Sequence, residues 1–195
     1  MAAMDLQLWL IRHGETAWSL SGAHTSTTDI PLTDRGRERA RKIHDYLQGK
    51  TFSMVLTSPL QRARETCNIA GFGDVAQVDD DLIEWNYGAY EGRTTKDIQK
   101  EIPGWSVWNS PIVNGESMDQ VAARANRVIA RAAANGGRVA LFAHAHILRI
   151  LAACWIQSPP VMGSRLALGT GSVSTLGFEH DTRVILTWNR SLESE

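Results

Sequence analysis

Short apolar runs alternate with amphipathic segments along this chain, and this alternation limits the folds that it can adopt. Strands that alternate with helices form a mostly parallel sheet with helices on both faces. The sequence therefore predicts an α/β fold, a three-layer αβα sandwich. Its strand-like runs are residues 6–11, 52–56, 75–78 and 138–143, and its antiparallel edge is a hairpin of residues 171–178 and 184–188 that turns near His180.

The length of 195 residues favours a single domain, residues 1–195, because one domain takes about 150 residues. Hydrophobic residues make up 43% of the chain, enough for one sizeable core. Residues 79–111 mix glycine, proline and aromatic residues outside clear periodic patterns. We expect a small, loop-rich cap or insertion there, with at most one or two short helices.

The charge balance and the cysteines restrict the partners and the compartment. Twenty basic against twenty-one acidic residues leave a net charge of −1, so there is no basic excess for nucleic acid or a membrane surface.

Cys67 and Cys154 fit neither a disulfide framework nor a metal site and are expected to be free thiols in a reducing compartment. The apolar run 8–11 is too short for a signal or a span. We expect a cytoplasmic monomer or homodimer.

Three helix starts are predicted from capping residues. Thr33 caps a helix that reaches about Leu47, and Ser117 forms a capping box with Gln120. Ser58 is assigned as a third cap, with Pro59 at the first helical position and Gln61 at the third. Residues 19–28 are small and polar and are expected to form a loop.

Basic side chains follow the predicted strands. Arg12 and His13 end the first strand, Arg62 lies in the helix after the second, and His144 follows the strand at 138–143. Ligands of such sheets bind outside the carboxyl ends of the strands. Two guanidinium groups and two imidazoles at one edge predict a site for a dianionic phosphate. Gly14 is expected to let the backbone approach the ligand.

These residues also lie in segments that resemble motifs of the histidine phosphatase (phosphoglycerate-mutase-like) superfamily. The resemblance runs from residue 6 to about residue 155, with the motifs in the family's order. The matching segments are Leu10-Ile11-Arg12-His13-Gly14-Glu15-Thr16 with Pro31-Leu32-Thr33, Thr57-Ser58-Pro59 with Arg62, Leu82-Ile83-Glu84 with Tyr90-Glu91-Gly92, Gly115-Glu116-Ser117, and Ala143-His144.

The resemblance implies a nucleophile at His13 that forms a phosphohistidine. Arg12, Arg62 and His144 would complete the phosphate pocket. Glu84 would protonate the leaving oxygen and then activate water, which fits the need of a sugar alkoxide for a proton. Glu91 is the rival acid, and the family pattern favours a structural role for it. No metal and no cofactor is implied.

The residues around the segment Leu82-Ile83-Glu84 with Tyr90-Glu91-Gly92 indicate which branch of the family this chain resembles. An insertion typical of cofactor-dependent mutases is missing after Gly92, and the motifs resemble the branch that contains sedoheptulose-1,7-bisphosphatase. We therefore expect a phosphatase for a small phosphorylated metabolite, such as a sugar phosphate or a sugar bisphosphate. The expected substrate-binding residues are Ser19, His24, Thr25, Tyr87, Ala145, His146 and Arg149. A second phosphate would be held by Arg149, whose alternative is a surface arginine packed over Ile150.

Three other functions stay open. One is a cofactor-dependent phosphoglycerate mutase. Another is a non-catalytic phosphate-binding module, which should lack the nucleophile or the acid, although His13 and Glu84 are both present. The last is a metal-dependent hydrolase with ligands from His13, His24, His144, His146 and Asp29. Arg12 and Arg62 argue against that metal site, because cations beside a divalent metal repel it unless phosphate is present.

Overall fold

A mixed six-stranded sheet forms the centre of the protein, in the order β3-β2-β4-β1-β5-β6. The structure, a computed structural model, describes residues 5–192. Strands β1 to β4 pair in parallel, whereas β5 pairs antiparallel with β1 and β6. The strands are β1 (Gln7–Arg12), β2 (Met54–Thr57), β3 (Gln77–Val78), β4 (Arg138–Ala143), β5 (Val173–Glu179) and β6 (Thr182–Arg190).

Helices cover both faces of this sheet. They are α1 (Ala17–Ser21), α2 (Asp34–Leu47), α3 (Gln61–Ile69), α4 (Thr95–Glu101), α5 (Met118–Asn135) and α6 (Ala145–Trp155). On one face, Ile43 of α2 and Cys67 of α3 pack in a core with Trp9 of β1. On the other, α5 and α6 pack in a larger core with Leu8 and Leu10. Alternate residues of β1 thus enter opposite cores, and the predicted αβα sandwich is confirmed.

Two of the three predicted helix caps are confirmed. Thr33 Oγ1 accepts a hydrogen bond from the Gly36 backbone N–H at 3.0 Å, and Ser117 forms a capping box with Gln120. The prediction for Ser58 is wrong, because α3 begins at Gln61 after Leu60, which makes no side-chain cap. Instead, Asp29 Oδ1 accepts a hydrogen bond from the Gln61 N–H at 2.7 Å.

Residues 79–111 contain α4 and two short 3-10 turns, Asp80–Leu82 and Gly88–Tyr90. The expected loop at 19–28 is wrong in its first part, because residues up to Ser21 belong to α1. Thr16 and Ser19 form a capping box for this short helix. The third predicted strand begins at Gln77 rather than at residue 75, because the N–H groups of Val75 and Ala76 form turn hydrogen bonds to the Phe72 carbonyl.

Both cysteines are free thiols. Cys67 is buried between α3 and the sheet, and burial raises the pKa of its thiol to about 12. None of the helices within residues 5–192 combines the length and the apolar character that a bilayer span requires. A third 3-10 segment, Pro160–Arg165, follows α6 and packs against it.

Candidate active site

The carboxyl ends of β1, β2 and β4 meet at one edge of the sheet. Arg12 lies opposite Ala143 in the register of β1 and β4. The His13 N–H then donates to the Ala143 carbonyl at 3.0 Å, and the Ser58 N–H donates to the Phe142 carbonyl at 2.9 Å. Because parallel strands end at the same edge, residues far apart in sequence gather there, as the sequence predicts.

His13 is held in the form that a nucleophile needs. Its ring is buried, and Nδ1 lies 2.7 Å from the Gly14 carbonyl oxygen. A carbonyl only accepts hydrogen bonds, so Nδ1 carries the proton and Nε2 keeps its lone pair. Burial, followed by the charges of Arg12 and Arg62, holds the pKa of His13 well below its usual value. The imidazole is therefore neutral, and Nε2 is unprotonated.

His144 lies beside this ring, with 5.2 Å between the ring centroids. Arg62 Nε donates to His144 Nδ1 at 3.1 Å, so His144 carries its proton on Nε2 and donates to Ser58 Oγ at 2.8 Å. Burial, then the charges of Arg62 and His13, lowers the pKa of His144 well below its usual value. The Ser58 hydroxyl, which was expected to cap α3, thus fixes the orientation of the His144 ring.

Arg62 is fully buried behind His144. Its terminal nitrogens donate to backbone carbonyls of the loop after α1, at Thr28 (3.1 Å) and Ser26 (2.9 Å). The same loop is held from the other side by Glu91, whose Oε1 accepts the Ser26 N–H at 2.8 Å and the Thr28 N–H at 3.1 Å. Glu91 therefore has a structural position, and Arg62 acts on the site through His144 and this loop.

Arg12 contributes a guanidinium to the site. Nη1 donates to the Leu168 carbonyl, whereas the buried Nε has no hydrogen-bond partner among residues 5–192. Burial lowers the pKa of Arg12 to about 10, against the opposing charge of Glu84. Its guanidinium is still a cation at neutral pH. Arg12 is also one of the residues that line the cleft described below, so it brings a positive charge to the site.

Glu84 is held at the N-terminus of α6. Its Oε1 accepts from the backbone N–H groups of Trp85 and Ile147, and Oε2 accepts from that of His146, each at 2.9 Å. Burial acts to raise the pKa of this carboxyl, but the interaction with His146 and the backbone hydrogen bonds outweigh it and hold the pKa well below its usual value. Glu84 is therefore ionised in the unliganded protein.

Most of these groups line a cleft of about 150 Å³. All predicted site residues except Arg62, His144 and Arg149 line it, including Ala145 at the start of α6. Three further lining residues, Thr16, Gly22 and Ala23, were not predicted. They belong to the capping and the end of α1, and only recognition of that helix in the sequence could have identified them.

The outer wall of the cleft, called the ring wall below, consists of the side-chain rings of His24, Tyr87, Trp105, His146 and Trp108. His24 packs against Tyr87 with 4.8 Å between centroids and against Trp105 with 5.4 Å. Tyr87 Oη lies 2.6 Å from His146 Nδ1. Burial raises the pKa of Tyr87 well above its usual value, so the phenol keeps its proton and shares one hydrogen bond with His146. His146 in turn lies 5.2 Å from the Trp108 ring.

Arg149 does not line the cleft. Its Nε donates to the Gly163 carbonyl at 2.9 Å and Nη2 donates to the Ser164 carbonyl at 3.2 Å. Its guanidinium lies over the Trp108 ring, 4.6 Å from the centroid. The structure thus fixes Arg149 behind the ring wall, where it anchors the 3-10 segment after α6. This position differs from both sequence-based alternatives, a phosphate ligand and a surface side chain.

The expected role of Gly14 needs correction. A Cβ on Gly14 would lie 2.3 Å from the carbonyl oxygen of Gly36, and one on Gly36 would lie 2.2 Å from that of Glu15. The missing side chains therefore allow two backbone segments to meet rather than a ligand to approach. The Gly14 N–H is also occupied, since it donates to Thr66 Oγ1 at 3.0 Å.

The ligands of the alternative metal site are not gathered at one point. Asp29 is bound to the N-terminus of α3, as described above. Within residues 5–192, no three side chains from His, Cys, Asp and Glu are arranged to hold a metal ion. The residues of that hypothesis instead divide into two pairs, His13 with His144 and His24 with His146.

Comparisons with known proteins show what this chain is similar to. An acid phosphatase of Mycobacterium tuberculosis is 40% identical over 187 residues, which are 94% of this chain and 92% of the relative. The sedoheptulose 1,7-bisphosphatase of Saccharomyces cerevisiae is 35% identical over 188 residues, covering 80% of this chain and 69% of the relative.

A solved structure of a Mycobacterium tuberculosis open reading frame product superposes with a TM-score of 0.91 at 36% identity. The match covers 97% of this chain and all of that one. The model of the histidine phosphatase superfamily (branch 1) matches residues 8–191. On the site geometry, the shared fold and these matches, the chain belongs to branch 1 of the histidine phosphatase superfamily.

Proposed function

We propose that this protein hydrolyses phosphomonoesters of small sugars or related metabolites through a phosphohistidine at His13. The observation that carries this proposal is the state of His13, whose Nδ1–H is fixed on the Gly14 carbonyl and whose neutral Nε2 is unprotonated. His13 shares the cleft with the guanidinium of Arg12 and with the carboxylate of Glu84. Nucleophile, cation and acid–base group are thus present together.

In the first step, His13 Nε2 attacks phosphorus and the bond from phosphorus to the ester oxygen breaks. The ester oxygen takes a proton from Glu84 and leaves as an alcohol. The Nδ1–H group of His13 stays hydrogen-bonded to the Gly14 carbonyl, so the ring gains a phosphoryl group without rotating. The Arg12 guanidinium, which lines the cleft, donates to the phosphoryl oxygens and stabilises the charge that they carry in the transition state.

In the second step, Glu84 acts as the base. Its carboxylate accepts a proton from water while the water oxygen attacks phosphorus, and the bond from phosphorus to Nε2 breaks. Inorganic phosphate takes this proton from Glu84 and leaves, so that His13 returns to its neutral form and Glu84 to its carboxylate. The same carboxyl group thus donates a proton in one step and takes one in the next, as microscopic reversibility requires.

The proton for the first step comes with the substrate. Glu84 is ionised before binding, and a phosphate ester carries one proton as its monoanion. Transfer of that proton leaves a dianion beside a neutral carboxylic acid. A dianion near Glu84 raises the pKa of the carboxyl, because like charges disfavour ionisation.

Incubation with a 32P-labelled sugar phosphate, followed by a rapid quench in base, tests the proposal. We expect a base-stable, acid-labile label on the wild-type protein, together with release of inorganic phosphate. His13→Ala should remove the label and lower kcat by several orders of magnitude. His180→Asn, a change in the exposed turn after β5, is the matched control and should change neither.

Three outcomes would contradict the proposal. Activity that EDTA abolishes and that zinc or manganese restores would establish the metal-dependent alternative. Transfer between the positions of 3-phosphoglycerate that is faster than hydrolysis would establish a mutase. Binding of phosphate esters without turnover or label would establish a binding module.

A further inference from the structure

The outer cleft offers no cation to a substrate. Of the residues that line the cleft in the described part of the chain, Arg12 is the one lysine or arginine, and its guanidinium serves the reacting phosphate. Glu84, the acidic residue of the lining, is ionised in the unliganded protein. A second phosphate would therefore add two negative charges beside the reacting phosphate, and Arg149, whose charge reaches Glu84 and Tyr87, is held by backbone carbonyls.

Arg149 is fixed away from this space. Two of its nitrogens are bound by the carbonyls of Gly163 and Ser164, and its guanidinium stacks on the Trp108 ring. A rotation toward the cleft would break both hydrogen bonds and the stacking together. The observed arrangement therefore makes Arg149 part of the support behind the ring wall.

His24 does not supply the missing charge. It is packed between the rings of Tyr87, Trp105 and His146. Burial, followed by the charge of His146, lowers the pKa of His24 to about 4, while Glu84 acts in the opposite direction. At neutral pH this imidazole is uncharged, and it contributes a flat face rather than a cation.

Most hydroxyl groups of the outer cleft are already bound within the protein. Ser19 Oγ donates to the Thr16 carbonyl at 2.9 Å, and Thr25 Oγ1 donates to the Ala23 carbonyl at 3.0 Å. The Tyr87 hydroxyl is hydrogen-bonded to His146, as described above. A heavily charged or heavily hydroxylated leaving group therefore finds few free partners here, whereas the half-buried ring of His24 borders the cleft.

From these contacts we propose that the outer cleft selects an uncharged leaving group with an apolar face and disfavours a second phosphate. The proposal rests on the proposed phosphatase function and narrows its substrate class to monophosphates. The reacting phosphate binds at Arg12 and His13, and the leaving group packs against His24 and Tyr87. The CH face of a sugar or an aromatic ring meets this requirement.

The test compares kcat/KM for fructose 6-phosphate and fructose 1,6-bisphosphate, with p-nitrophenyl phosphate as an aryl probe. We expect the monophosphate to be preferred at least tenfold. Arg149→Met should leave this ratio unchanged, even where lost stability lowers both rates. Ala23→Lys places an ammonium group at the cleft and should reduce the preference severalfold, with thermal melting as the check on folding.

A bisphosphate that is hydrolysed as well as or better than the monophosphate would overturn the proposal. So would an Arg149→Met variant that loses activity on the bisphosphate alone, because Arg149 would then bind the second phosphate. Either result would leave the proposed function intact. Absence of hydrolysis and of a phosphohistidine with all three substrates would instead contradict the function itself.

Discussion

At the scale of single residues, the site depends on which atoms carry protons. Gly14 fixes the proton of His13 on Nδ1 and Arg62 fixes that of His144 on Nε2. Glu84 is kept ionised by three backbone N–H groups around its oxygens. Residue types at strand ends predict which side chains meet, but not these protonation states. The states depend on backbone carbonyls and N–H groups, which the sequence pattern does not place.

The role of Glu84 leads to a prediction about the leaving group. Glu84→Gln keeps a side chain of the same size but has no transferable proton. We expect a loss of about 100-fold or more in kcat/KM on alkyl phosphates, within the usual range for a general acid. The rate of phosphoenzyme formation from p-nitrophenyl phosphate should fall much less, since its leaving group needs little help. Equal losses in rapid-quench measurements on both substrates would assign the proton to another group.

The same residues predict the pH dependence of the reaction. The productive complex holds one proton shared between Glu84 and the phosphate, and a neutral His13. Above the second pKa of the ester, about 6, kcat/KM on an alkyl phosphate should fall about tenfold per pH unit. As the pH falls through 6, kcat/KM should not decrease, because the pKa of His13 is lowered well below its usual value. A profile from pH 4 to 8 that rises above pH 6 would contradict this, and Glu84→Gln should flatten the alkaline limb.

At the scale of helices and strands, local signals predict local structure and fail where a distant residue competes. Thr33 and Ser117 cap their helices because their partners lie three residues ahead. Ser58 has the same local pattern, yet its hydroxyl binds His144, 86 positions later in the chain. Arg149 is directed by carbonyls of a 3-10 segment that no periodicity revealed. The first helix was missed because it is five residues long and lies among polar residues.

The contact between Gly14 and Gly36 predicts a link between fold and activity. Gly36→Ala would place a Cβ 2.2 Å from the Glu15 carbonyl and push apart α2 and the segment after His13. We expect the free energy of unfolding to fall by about 1–3 kcal/mol, as in overpacked cores. In addition, kcat should fall at temperatures where the variant is still folded, because small displacements of a nucleophile are costly.

Urea unfolding and steady-state rates on p-nitrophenyl phosphate measure these two effects. Gly169→Ala is the matched control, because its Cβ would meet only Asn189 Oδ1 at 3.5 Å. The control should lose little stability and little activity. A Gly36→Ala variant with wild-type stability and kcat would show that the two segments can separate without moving His13.

At the scale of the whole molecule, the buried imidazoles of the site oppose stability in acid. The pKa values of His13, His144 and His24 are lowered by burial, that of His24 to about 4. The unfolded chain therefore binds more protons than the folded one once the pH drops below about 6.5. Stability should be complete above that pH and should decrease as the pH falls toward the folded-state pKa values. The lowered pKa of Glu84 acts in the same direction, but below its own unfolded pKa of about 4.3.

This linkage predicts how the free energy of unfolding changes between pH 7 and pH 5. Each buried histidine contributes up to about 2 kcal/mol of the loss, since one pKa unit corresponds to about 1.4 kcal/mol. The three together give a decrease of up to about 6 kcal/mol in urea unfolding. His24→Gln should remove about a third of that decrease, whereas the exposed control His180→Asn should leave it unchanged. Stability that is constant or higher at pH 5 would mean that these imidazoles bind protons in the folded state, and His13 would then be a poor nucleophile in acid.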